Sequence, residues 1–397
     1  VIVTGGQFPA ALAALRSLAR HGFDPVAVAT TRGSYARFSR SVAAIHRVPD
    51  VSASASRFVE CVAAICAGQD PVVLIPGTEP ELVALVTWSH LLPPSVLGLP
   101  SRETLDRATD KILLNELARA AAFEVPPSTF VGTEGPAEAS SLPFPGVIKP
   151  VRTVAQNGDV LTSVSATPIA GPADLSALLA RVGGAGALYQ PLLTGELCSL
   201  AGVMWRGRLL APVQQVALSI FPEPCGGSAV ARSVPVEESR VSQMEHVLIA
   251  MNWEGIVQLQ WIRNAEGDFV IDVNPRIYGS IELANAAGCD LAAIWAKLLL
   301  GIPSPEPQAR REVVYRNLET SRRTRKRVDL SSIPRAAVRA NSVFAASDPL
   351  PVLASFIRGL RKVSRNARQP LVDGTPPAAG VAPTATVSGD VSASRNA

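Results

Sequence analysis

The side chains best placed to do chemistry together lie in Phe269-Val270-Ile271-Asp272-Val273-Asn274-Pro275-Arg276. The run reads as a strand, and its period of two puts Asp272 and Asn274 on one face, with Ile271 and Val273 on the other. Upstream, Val257-Gln258-Leu259-Gln260-Trp261 reads as a partner strand whose two glutamines share a face. A hairpin closing through Asn264-Ala265-Glu266-Gly267 brings Gln260 opposite Asp272. Three oxygen-bearing side chains then converge. Such oxygens suit a hard cation, and Mg²⁺ takes one or two carboxylates and completes its shell with phosphates and water. The competing reading is a hydrogen-bonded polar patch on a half-exposed sheet. Arg276 favours the first, because a guanidinium beside a metal suits a phosphorylated or tetrahedral intermediate.

Lysine is scarce, with 5 Lys against 32 Arg, so each Lys position carries weight. Lys149 ends the apolar strand Phe144-Pro145-Gly146-Val147-Ile148-Lys149-Pro150, where a cleft-facing ammonium needs an anionic partner. An edge-strand Lys reaching water is the plain alternative. Lys111 follows Thr109-Asp110 within a helix. Glu79 lies in Pro76-Gly77-Thr78-Glu79-Pro80-Glu81, after the strand Val72–Ile75, at the sheet edge where open α/β folds bind ligands. The same stretch also reads as a helix N-terminus capped by Thr78, with Glu81 three residues on. Gly5-Gly6 is only a fragment of a dinucleotide fingerprint, since GxGxxG is absent.

The elements that must position these residues fall into modules. Residues 1–104 alternate β-branched runs with helical patterns, the rhythm of a parallel α/β sheet. Residues 105–301 open with a helix stopped by Pro126-Pro127. They continue as α+β texture, a smaller part at about 128–190 and a larger one at about 191–301 that holds the hairpin. One helix is expected near Ala173–Val182. Residues 302–365 form a basic extension with an amphipathic stretch at Pro351–Val363, and 366–397 read as an unstructured Ala/Pro/Ser/Thr tail.

Composition sets limits. The 397 residues carry a net charge of +4, which conceals 21 Lys/Arg against 26 Asp/Glu in residues 1–301 and 16 against 7 in 302–397. The body thus offers no broad basic face, and nucleic-acid binding is disfavoured except through the last fifth. There, Arg310–Arg327 holds eight basic residues against two glutamates, with Val313-Val314-Tyr315 suggesting a strand. Five cysteines with no CxxC signal neither a zinc site nor a disulfide scaffold. No 18-residue apolar stretch signals a membrane span, so the reading is cytoplasmic.

Taken in order and spacing, these features resemble the ATP-grasp superfamily in its carbamoyl-phosphate-synthetase-like, carboxylate-amine ligase branch, over about residues 1–301. The features are Lys111, Lys149, Tyr189-Gln190-Pro191-Leu192-Leu193-Thr194-Gly195-Glu196 and Asp272-x-Asn274-Pro275-Arg276, followed by Gly279-Ser280 and Ala286-Ala287-Gly288-Cys289-Asp290-Leu291.

The resemblance implies a pre-ATP-grasp, Rossmann-like N-terminal domain, a small α+β lid and an antiparallel ATP-grasp domain. It implies ATP and Mg²⁺ as cofactors, with Mn²⁺ as a second candidate. Lys111 and Lys149 would hold phosphates, Gln190, Pro191 and Leu193 would meet adenine, and Glu196 would meet ribose. Gln260, Asp272 and Asn274 would bind metal, and Arg276 would steady the acyl-phosphate or tetrahedral species. The loop Pro222–Arg232 resembles one bordering the acceptor pocket and offers Gly227 and Arg232 as substrate residues, with Glu79 at the sheet edge as a third.

The implied reaction transfers the γ-phosphoryl group to a small carboxylate, which an amine then attacks; a homodimer is compatible. Departures from the pattern are Asp272 for the usual Glu, Gln260 for the commoner carboxylate, Pro191 in the hinge, and a single glycine, Gly158, in Val151–Val160. The alternatives are a nucleotide binder without turnover and a nucleic-acid adaptor acting through the basic segment.

Overall fold

A computed structural model describes residues 1–132, 142–175, 186–303, 312–324, 328 and 337–355. The chain divides into one compact unit, Val1–Arg358, and a second, Gly359–Ala397, that lies outside the described residues. The expected tail and most of the amphipathic stretch lie there too, and the expected Ala173–Val182 helix is described only as far as Leu175.

The first layer is a five-stranded parallel sheet in the order β3-β2-β1-β4-β5. Its strands are β1 (Ile2–Val3), β2 (Val26–Ala29), β3 (Ala44–Arg47), β4 (Val72–Ile75) and β5 (Val96–Leu97). The unbroken apolar run of β4 is buried at every position, as a strand covered on both faces requires. Helix α1 (Pro9–Arg20) starts on a proline, and α2 (Ala55–Cys66) is capped by Ser54. At the strand ends the backbones of Thr4 and Gly77 touch, and a Cβ on Gly77 would lie 2.2 Å from the Thr4 carbonyl oxygen. Only glycine fits there.

Beside that contact Glu81, in α3 (Glu79–Thr87), accepts a 2.8 Å hydrogen bond from the Thr4 hydroxyl, which itself accepts from the Gly77 N–H at 3.0 Å. Burial pushes the Glu81 carboxyl up to about 7 from an ordinary 4.5. The folded chain therefore binds a proton that the unfolded chain has lost, and this contribution, present below the unfolded value, disappears as pH rises through about 7. Glu81→Gln should remove a stability slope on the order of 3 kcal/mol between these two values. Denaturant melts from pH 4.5 to 8 will show parallel curves for the two proteins if Glu81 is not the titrating group.

A small antiparallel sheet follows in the order β10-β7-β11-β6, from β6 (Thr129–Val131), β7 (Gly146–Pro150), β10 (Thr167–Ile169) and β11 (Ala187–Pro191). Between β7 and β10, β8 (Val154–Asn157) and β9 (Val160–Ser163) form a separate hairpin. Gly146 admits the Tyr189 ring, which a Cβ would meet at 2.3 Å.

The main sheet has seven strands in the order β16-β15-β12-β13-β14-β17-β18. They are β12 (Glu196–Trp205), β13 (Arg208–Phe221), β14 (Gly227–Val234), β15 (Gly255–Arg263), β16 (Asp268–Asn274), β17 (Val313–Arg316) and β18 (Val338–Asn341). One face, through Ala201, Val203, Val213, Ala231 and Ile256, joins the core shared with α1 and the helices Ile281–Ala286 and Leu291–Leu299. The other, through Cys198, Leu200, Val216, Leu259 and Trp261, packs against the helix Glu238–Ala250 and α5 (Lys111–Ala120), which follows α4 (Arg102–Ala108).

The basic run contributes β17 to this sheet. Farther on, Asp348 is buried against the N-terminal layer, with its carboxylate 2.9 Å from the Arg16 guanidinium and 2.6 Å from the Ser39 hydroxyl. Among the described residues no helix is long and apolar enough to cross a membrane.

Candidate active site

A cleft of about 400 Å³ lies between the small sheet and the main one. Its apolar walls include Val147, Leu192, Leu193, Leu197 and Ile262. Its charged side chains are Lys111, Lys149, Arg276 and Asp272, three cations against one anion.

The hairpin expected from period and turn forms as read. Gln260 pairs with Asp272 and Gln258 with Asn274, so all four side chains share the face toward the cleft. Asn274 Nδ2 lies 3.3 Å from Gln258 Oε1 and 3.5 Å from Gln260 Oε1. Gln258 is tied at 3.1 Å to Ser199.

Lys149 arrives from β7, opposite Leu188 in β11. It is buried, and its ammonium donates to the Ile271 carbonyl at 3.2 Å. No carboxylate forms an ion pair with it among the described residues. Burial lowers its pKa to about 8; the nearby Asp272 opposes that shift and Lys111 adds to it. Lys111 opens α5 behind the Asp110 cap, and its Nζ lies 2.9 Å from Thr153 Oγ1 and 3.9 Å from Asp272 Oδ1.

Arg276 donates to the Ile277 carbonyl and to Asn274 Oδ1, both at 2.9 Å, and lies 3.5 Å from Glu79 Oε2. Its buried Nε has no partner among the described residues. Glu79 thus reaches the site through Arg276, across the join between the N-terminal layer and the main sheet.

Gln190 and Pro191 line the cleft, and Gln190 is held at 2.9 Å by Ser128. The Leu192 N–H is taken by the Pro145 carbonyl at 3.1 Å, while that of Leu193 is open among the described residues. Gly227 also lines the cleft. Glu196 is exposed and is not among the lining residues. Arg232 is not brought to the cleft at all. It pairs with Val216, on the face opposite the one that carries Gln260 and Asp272.

The segment after Lys149 carries the β8–β9 hairpin, within the stretch expected to form the lid. The tip of the β8–β9 hairpin is pinned to the N-terminus of α2. Asp159 accepts from the Ser54 hydroxyl at 2.6 Å and from the Ser56 N–H at 2.7 Å, and Leu161 is buried in the core of the N-terminal layer. Gly158, with φ +60°, serves the hairpin turn. Residues that sequence reasoning passed over include Thr153, Ser128 and the Ile271 carbonyl. Only Gln258 had a signal, its shared face with Gln260.

Among the described residues no cluster of three His, Cys, Asp or Glu could hold a metal ion. One carboxylate flanked by the Gln260 and Asn274 amides does fit an ion whose other ligands are phosphate and water. The cation excess, the Lys149 ammonium without an ion pair among the described residues and the orphaned Arg276 Nε fit the phosphates themselves.

The comparisons agree in fold. A family model described as "ATP-grasp in the biosynthetic pathway with Ter operon" matches residues 187–321. The L-amino acid ligase of Bacillus licheniformis superposes with a TM-score of 0.60 at 14% identity, covering 79% of this chain and 78% of that one. Biotin carboxylase from Campylobacter jejuni, solved with a β,γ-ATP ligand, gives 0.59 at 16%, covering 79% and 74%. N5-carboxyaminoimidazole synthetase from Staphylococcus aureus gives 0.58 at 12%, covering 79% and 80%. No curated protein sequence matches the chain.

Proposed function

From an ATP-grasp fold whose cleft gathers three cations and one carboxylate, we infer that this chain is an ATP- and Mg²⁺-dependent ligase. It activates a small carboxylate, an amino acid being the first candidate, as an acyl phosphate and joins it to an amine. The observation that carries the reading is the Lys149 ammonium, without an ion pair among the described residues, beside Lys111, Asp272 and the buried, unpartnered Arg276 Nε.

The apolar walls would take adenine, with the Leu193 N–H and the backbone around Pro191 at its edge. Lys111 and Lys149 would hold the phosphates in line for attack. Asp272, Gln260 and Asn274 would hold the magnesium, which when bound neutralises charge on the phosphates; Mn²⁺ would suit the same oxygens. A carboxylate oxygen attacks the γ-phosphorus as the bond to the β-phosphate oxygen breaks and ADP leaves. The amine nitrogen then attacks the acyl carbon, phosphate departs, and the amine proton passes to solvent or phosphate. Arg276, aimed by Glu79 and Asn274, would steady the charge at both steps.

The test is nucleotide release. With ATP, Mg²⁺ and a matrix of carboxylates and amines, at least one pair should release ADP; AMP instead would mean adenylation and overturn the mechanism. The single metal-side carboxylate favours one second reading, a nucleotide binder without turnover. That reading predicts stabilisation by ATP but no ADP with any pair.

Lys149 adds a pH signature. Bound phosphates should restore its proton, so Mg-ADP binding at about pH 9, above the lowered pKa of about 8, should take up part of a proton. Calorimetry in two buffers of different ionisation enthalpy measures this. The uptake should vanish near neutral pH and in Lys149→Met.

A further inference from the structure

A second cavity, of about 380 Å³, lies where β14 ends and shares no lining residue with the cleft. Its charged walls are Arg232 and Glu312, and Val213, Val234, Val236 and Ala287 supply much of its apolar surface. Arg232 pairs with Val314, two residues along the chain from Glu312. Both side chains line the same cavity. Opposite charges in one cavity can close on one another. Here they form no ion pair, and neither side chain has a hydrogen-bond partner among the described residues.

A guanidinium and a carboxylate held apart across an apolar-walled cavity complement a small zwitterion. The guanidinium suits a carboxylate bidentately, and Glu312 suits an ammonium while repelling a simple inorganic anion. The volume lies at the small end for ligand sites, and the valines favour a short apolar side chain. We propose that this cavity binds a free α-amino acid with a small apolar side chain, at a site separate from the cleft. The α-carboxylate meets Arg232, the α-ammonium meets Glu312, and the side chain packs on Val234 and Val236.

The experiment is calorimetric titration of the full chain, without nucleotide, using L-valine, L-alanine, N-acetyl-L-valine and L-valinamide. L-Valine or L-alanine should bind saturably. Blocking either end of valine, or making Arg232→Gln or Glu312→Gln, should weaken binding by at least about tenfold. Asp272→Asn should bind as the parent does. Glu312 is exposed, so its variant keeps the test valid if Arg232→Gln folds poorly. Absence of saturable binding by both amino acids, or binding unchanged in both variants, overturns the proposal. Binding lost in Asp272→Asn but kept in Arg232→Gln would place the amino acid in the cleft, overturning this site while leaving the ligase reading intact.

Discussion

Lys149→Met should sharply reduce ATP-dependent turnover while making the chain more stable at neutral pH. The two effects share one cause. The ammonium is buried with a single carbonyl for company, and burial pulls its pKa from 10.5 to about 8. At pH 7 the folded chain therefore carries a charge that its surroundings disfavour. That cost is relieved as pH rises from about 8 towards 10.5, where the unfolded chain holds the extra proton. Methionine keeps the volume without the charge, and the gain is bounded at about 3 kcal/mol by the size of the shift. Losing a preorganised cation aimed at transferred charge should lower kcat/KM on the order of 10²–10³-fold. Chemical melts and ADP release report the two halves. A variant that is both active and destabilised would show that the ammonium serves the fold.

Asp272→Asn should invert the magnesium dependence of nucleotide binding. Asp272 is the only carboxylate in the oxygen set, and it stands 3.9 Å from Lys111. With Mg²⁺ present, affinity for ATP should drop by about 100-fold, since the amides alone bind hard cations weakly. In EDTA the sign reverses, because the substitution removes a negative charge beside the phosphate positions; affinity should hold or rise slightly. Asp272→Glu should restore the magnesium effect. Equal losses with and without the metal would mean that Asp272 positions Lys111 and does not serve the ion.

Much of this cleft was legible in the sequence, for identifiable reasons. The pairing of Gln260 with Asp272 follows from strand alternation and from where the hairpin must close, both local properties. The scarcity of lysine drew attention to Lys111 and Lys149. The parallel N-terminal sheet followed from its βαβ rhythm.

What escaped depended on distant partners or on register. The position of Arg232 turns on β13 and β14, whose pairing slips twice, around Ala217, Ser219 and Ile220. A one-residue slip moves a side chain to the other face of a sheet, and no local pattern announces it. The pinned hairpin rests on Asp159 meeting Ser54 and Ser56, roughly a hundred residues away, a contact that no local pattern announces. Likewise β17 read as a strand, but its place in the main sheet is set by Val230–Arg232 on one side and by a parallel partner, Val338–Asn341, on the other.

The central claim is that a substrate carboxylate oxygen bonds to the γ-phosphorus in this cleft. It is tested most directly by supplying amino acids with ¹⁸O in the carboxylate, together with ATP, Mg²⁺ and amines, and examining the released phosphate by mass spectrometry. The account predicts one ¹⁸O atom per phosphate at full turnover, with labelled phosphate and ADP release falling together in Lys149→Met. Unlabelled phosphate accompanying product formation would contradict it.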